Sequence, residues 1–240
     1  GKSADCPEEE TLIPINEDEE DKIINNLTGK AKCVYDKLNA NSTEFKNAIK
    51  KFDGEFPVAH LTFDINDLLS SGNYGVTYPP ANYNITIELS NVQLAKITNV
   101  GASIAIAHEV IHAEIYRKML SAAKLGNLDP QNMTPQQQVD YVNSLRNNFF
   151  GIYDYYISRY RPTWNHNMMA THYKTVLADI AEKFDNYSLS RQVYEDIAWA
   201  GLRKLEDGSD SVAWSELSNS EQSRILSNMN QYFFPDENCQ

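Results

Sequence analysis

Ile104-Ala105-Ile106-Ala107-His108-Glu109-Val110-Ile111-His112-Ala113-Glu114-Ile115 decides how this chain is read. It lies within residues 102–124, whose apolar positions recur at helical spacing and which end near Gly126. At about 100° per residue, two histidines four apart project from one helix face within about 40° of each other, so both rings can reach one metal ion. Glu109 lies about 100° from His108, close enough to act on a water at that metal without being a ligand. Zinc suits such a set: imidazole nitrogens bind it at about 2.0–2.1 Å, and three protein ligands leave a fourth position for water. Its charge lowers the pKa of that water to about 7, where a carboxylate can serve as general base. With five histidines in 240 residues, a chance match to this spacing has a probability of roughly 0.7%. The helix is also apolar nearly all round, as central, buried helices are. Two histidines and a glutamate are costly there without a partner.

The remaining histidines are His60, His166 and His172. Residues 165–185 read as a helix. With His166 at 0°, Met169, Tyr173, Leu177, Ile180 and Phe184 fall within about 60° of it, so His166 opens the apolar stripe that faces the core. His172 lies about 120° off that stripe, on the solvent side. His166 is therefore the better third ligand. His60 falls on the polar side of its strand with Thr62 and Asp64. Glu182 lies about 160° from His166, and a carboxylate from residues 190–206, such as Glu195, stays open as an alternative ligand.

Working outward, Ala59, Leu61 and Phe63 alternate with polar positions, as do Tyr83, Ile85, Ile87 and Leu89, which predicts two strands of a small sheet. The stretch between them, Ser70 to Asn82, reads as turns. Helices are expected at 29–39, 43–53, 102–124, 135–148, 149–160, 165–185, 190–206 and 218–232. Few strands and many helices make the fold α+β and predominantly α. No internal repeat or linker divides residues 22–240, which read as one domain.

The chain carries 21 basic and 33 acidic side chains, a net charge of -12. Nine of the acids and one Lys fall in residues 1–21, a net of -8, which leaves -4 for the rest. The acidity therefore belongs mostly to a leader that reads as flexible and solvated. This balance argues against nucleic acid or an anionic lipid surface as partner, and no apolar run reaches the roughly 18 residues of a spanning helix. Cys6, Cys33 and Cys239 fit no zinc knuckle. A Cys6–Cys33 pair tethering the leader is one expectation for an oxidising compartment. Five Asn-x-Ser/Thr sequons, from Asn26 to Asn186, carry little information in a chain this rich in Asn, Ser and Thr.

Taken together, Ile106 to Ala113, the downstream His166-x-x-Met169-Ala170-x-x-Tyr173 and Trp199-Ala200-Gly201-Leu202 make the chain resemble the zincin metallopeptidases, more narrowly the SprT-like and neutral zinc metallopeptidases of Bacteroidetes type. The resemblance covers roughly residues 57–205. It implies a zincin-like small sheet, zinc held by His108, His112 and His166, and Glu109 as general base in peptide-bond hydrolysis. It also implies an extended peptide bound by strand addition along an edge strand, for which residues 83–89 are in the right order. Ala113-Glu114-Ile115-Tyr116 replaces the Gly-x-x-His extension of metzincins, and no basic or zinc-ribbon appendage accompanies the motif. Tyr173, on the His166 stripe, is either an oxyanion donor or a core tyrosine. The aromatic run Phe149 to Trp164 is core packing, a substrate cleft or, if the fold serves as a binding module, a recognition surface. A metal hydrolase acting on other bonds is a further alternative. The Gly1 start without Met, the cysteines and the resemblance to an exported group point to the cell envelope or secretion.

Overall fold

Leu61 and Phe63, and Ile85, Ile87 and Leu89, have no exposed surface at all. These period-two rows are what a strand buries on one face. The computed structural model describes residues 23–50, 52, 59–78, 80, 81, 84–124, 166–204 and 210–240, to which all structural statements refer. The leader, Cys6, the helices expected at 135–148 and 149–160 and the aromatic run Phe149–Trp164 lie outside the described residues. In chain order the elements are β1 (Ile23–Asn25), α1 (Gly29–Asn41), α2 (Thr43–Lys50), β2 (His60–Ile65), β3 (Gly75–Thr77), β4 (Asn84–Leu89), α3 (Asn91–Leu94), α4 (Asn99–Lys124), α5 (His166–Phe184), α6 (Arg191–Ile197), α7 (Val212–Ser215) and α8 (Asn219–Tyr232). The fold is α+β and mostly helical, as expected.

The sheet has the order β1-β2-β4-β3. β1, β2 and β4 run parallel, and β3 runs antiparallel to β4. β1 and β3 were not anticipated, because three residues are too few to display an alternation. The placement of 83–89 as an edge is corrected: β4 pairs along its length with β2, from His60↔Asn84 to Ile65↔Leu89, and with β3 on its other side. A strand flanked on both sides has no backbone groups left to accept a third. The edge beside α4 is β3.

α4 lies across β3 and β4 and also packs on α1, α2 and α5. Its Ala102, Ile104, Ile106, Ala107, Val110, Ala113 and Tyr116 are buried, joining Val34, Tyr35 and Leu38 of α1 in one core. No helix among the described residues is long and apolar enough to cross a membrane. The helix expected over 190–206 stops at Ile197. Gly201, at φ +80°, takes the left-handed conformation that side-chain-bearing residues avoid, and the chain turns through Trp199–Leu202 back toward α4. The buried Asp196 ties α6 to α8 by accepting from Nε and Nη2 of Arg224 and from Asn228, and it also accepts from Gln192 within α6. Ser218 and Glu221 cap α8 reciprocally.

Beyond α8 the chain returns over the start of α4. Thr98 donates its amide to Phe233 O and its hydroxyl to Tyr232 O, and the Asn99 amide donates to the Glu237 carboxylate at 2.8 Å. That path carries Cys239 to α1, where it is disulfide-bonded to Cys33 with a Cα–Cα distance of 6.0 Å. The pairing expected for Cys33 is thereby corrected from Cys6 to Cys239. Sequence proximity to the leader is a poor guide when 206 positions fold back onto one helix.

Candidate metal centre

The i, i+4 spacing on α4 does what helix geometry requires. His108 and His112 turn toward each other with ring centroids 4.4 Å apart, and their Nε2 atoms stand 2.6 Å apart. Both rings are half-buried, so one side stays approachable while protein surrounds the others. Burial pulls the pKa of His108 down to about 4. Burial, and then repulsion from His108, takes that of His112 well below the ordinary value of 6.5. At neutral pH both imidazoles are therefore uncharged, the state in which a ring nitrogen offers a lone pair to a metal. Two converging neutral imidazoles are a donor set that fits zinc.

Glu109 faces the edge strand. Its Oε2 is 2.5 Å from Thr77 Oγ1, which also lies 2.9 Å from the Glu109 backbone oxygen. Burial raises this carboxyl to about 7 from an ordinary 4.5, against the opposing effect of the Thr77 hydrogen bonds. Gly75, two residues along β3, faces the same side chain: a Cβ there would lie 2.9 Å from Glu109 Cγ and 2.8 Å from Leu89 Cδ2.

Gly201 closes the site from another direction. A Cβ on it would stand 3.0 Å from His108 Cε1 and 3.2 Å from Nδ1. Gly201→Ala is accordingly expected to destabilise the fold by about 1–2 kcal/mol from the left-handed backbone alone, and to displace the His108 ring. Urea unfolding together with histidine ring resonances checks this, and an unmoved His108 resonance would contradict it.

His166 is the first residue of α5, which packs along α4. Leu177, Ile180 and Phe184 of its expected stripe are buried, so that face does turn inward. The side chains of His166, His172 and Tyr173 lie outside the described residues. Of the alternatives, Glu182 and Glu195 both accept from Arg191, at 2.9 and 3.1 Å, and His60 is half-buried at the start of β2. Among the described residues no three His, Cys, Asp or Glu side chains form a group able to hold a metal, so none of these completes the histidine pair. Sequence reasoning missed Gly75, Thr77 and Gly201. Gly201 stands in the quoted Trp199–Leu202 stretch, but Thr77 carried no signal beyond its place before a strand. No family model, curated protein or solved structure matches the chain.

Proposed function

We propose that this chain is a zinc-dependent metallopeptidase of zincin type. One observation carries the reading: two imidazoles on α4 bring their Nε2 atoms within 2.6 Å of each other, with a carboxyl one residue along the same helix. His108, His112 and His166 hold the metal, His166 from the inward stripe at the start of a helix packed on α4. Zinc, when bound, supplies a Lewis acid that acidifies water and polarises a scissile carbonyl. Glu109 removes a proton from the attacking water and returns it to the leaving amine. Tyr173, which the helical period puts on the His166 stripe, is the candidate donor to the developing oxyanion.

The substrate is an extended peptide or protein segment, taken on the free side of β3 rather than on 83–89. An antiparallel edge strand lying against the helix that carries Glu109 supports this choice. Residues 22–240 act as one domain, with neither nucleic acid nor a membrane span involved. The Cys33–Cys239 disulfide supports an exported location, because such bonds persist in oxidising compartments.

Metal analysis of the full chain, coupled to cleavage of unfolded casein with and without chelator, tests the reading. One zinc per chain and chelator-sensitive cleavage are expected. His166→Ala should lose zinc and His172→Ala keep it; the reverse pattern reassigns the third ligand. A chain that takes up no zinc, or cleaves equally well in chelator, overturns the proposal. Zinc uptake with no cleavage of any peptide favours a metal-holding binding module.

A further inference from the structure

The edge strand does more than border the site. Gly75 and Thr77 are two apart on β3, so their side-chain positions share one face, and both meet Glu109. At Gly75 the missing Cβ leaves the space that the Glu109 Cγ and the Leu89 side chain occupy. At Thr77 a single hydroxyl reaches both the carboxyl and the backbone oxygen of Glu109. A hydroxyl has one proton, so Oγ1 donates to the ionised carboxylate or to the backbone oxygen, and when the carboxyl is protonated it can accept from the carboxyl while donating to the backbone oxygen; in each case it holds the glutamate side chain close to its own main chain. We propose that Gly75 and Thr77 are positioning residues that aim the Glu109 carboxyl, an inference that rests on reading Glu109 as the general base.

The backbone of the same two residues gives the arrangement a second use. Ser90 donates to Tyr74 O and Tyr78 donates to Thr86 O, and the register pairs Val76 with Glu88. Residues 74, 76 and 78 therefore point their amides and carbonyls at β4, while Gly75 and Thr77 point theirs at the outer edge. An extended peptide paired there is held by the residue that also holds the base. One residue then sets the distance between the substrate carbonyl and Glu109, and a misplacement of about 1 Å at a reacting group can cost about 10²-fold in rate.

Thr77→Val keeps the shape of the side chain and removes the hydroxyl. In the zinc-loaded full chain it should keep its metal and lower kcat by about 10–100-fold, with KM within about twofold of wild type. Thr77→Ser should return kcat to within a few-fold. Gly75→Ala, which pushes on Glu109 instead of releasing it, should lower kcat as well. A second measurement needs no activity. In the metal-free protein Thr77→Val should lower Tm by about 2–6 °C, and this drop should be clearly smaller in a Glu109→Ala background, where only the bond to the backbone oxygen of residue 109 is left to lose. An equal drop in both backgrounds, or an unchanged kcat in Thr77→Val beside an active wild type, overturns the inference. An inactive wild type in which the Tm coupling still appears places the failure with the general-base reading, and the contact between Thr77 and Glu109 stands.

Discussion

Glu109→Gln should retain zinc and lose about 10²–10⁴-fold of the proposed peptide hydrolysis, the usual contribution of a positioned general base. The amide side chain is nearly isosteric with the carboxyl and can still accept from Thr77, so the site keeps its shape while the group that carries the proton is gone. The same variant reports on the carboxyl a second way. In the metal-free protein Glu109 is held near 7, above its ordinary 4.5, so the folded state binds its proton more tightly than the unfolded chain does. The charge-burial penalty is then absent below about pH 4.5, where both states are protonated, and is complete above about pH 7. It amounts to about 3 kcal/mol at 1.36 kcal/mol per pKa unit. Glutamine carries no such penalty. In chelator, the stability of the variant relative to wild type should therefore rise by about that amount between about pH 4.5 and 8. Urea unfolding at several pH values measures it. A flat difference shows that the carboxyl is not desolvated as the structure has it, and undiminished cleavage of casein removes Glu109 from the mechanism.

The asymmetry between what could be read early and what could not has a physical cause. His108, Glu109 and His112 lie within five residues of one helix, so a constant angle per residue places them relative to each other before any tertiary contact is known. The inward face of α5 was legible for the same reason, and Leu177, Ile180 and Phe184 are buried where the periodicity puts them. Gly75, Thr77 and Gly201 reach α4 only because the chain closes loops of dozens of residues, and nothing local to them records those closures. β3 is the clearest case. Its three residues hold no period, and the turn-forming residues around them outweigh it. Yet it takes the edge position assigned to 83–89, because the parallel pairing of β2 with β4 leaves the outer side of β4 for the intervening chain to fold back on. The cysteines follow the same logic, since whichever sulfur meets Cys33 is decided by where α8 delivers the C-terminal segment.

Removing that disulfide has the second large effect. Cys33 and Cys239 are 206 positions apart, and the chain-entropy relation for a loop of that length gives roughly 5 kcal/mol of stabilisation, with measured removals commonly costing about 2–5 kcal/mol. Cys33→Ser and Cys239→Ser should each lower Tm by about 5–20 °C for a chain of this size, and reductant should do the same to wild type while leaving Cys239→Ser unmoved. The bond also secures a second set of contacts. The last residues place the Glu237 carboxylate on the Asn99 amide and the Phe233 carbonyl on the Thr98 amide, at the start of α4, where free amides and the helix dipole favour an acidic partner. Loosening them frays the helix from its first turn, whereas His108 lies more than two turns further in. Zinc content at about 20 °C should consequently survive in both serine variants even as Tm falls. Cys6→Ser is the informative control, with no change in Tm expected because Cys33 already has its partner. If Cys6→Ser destabilises the chain and Cys239→Ser does not, or if a non-reducing digest links Cys33 to Cys6, the strap over α4 is not covalently held and its contacts alone must keep the helix start in place.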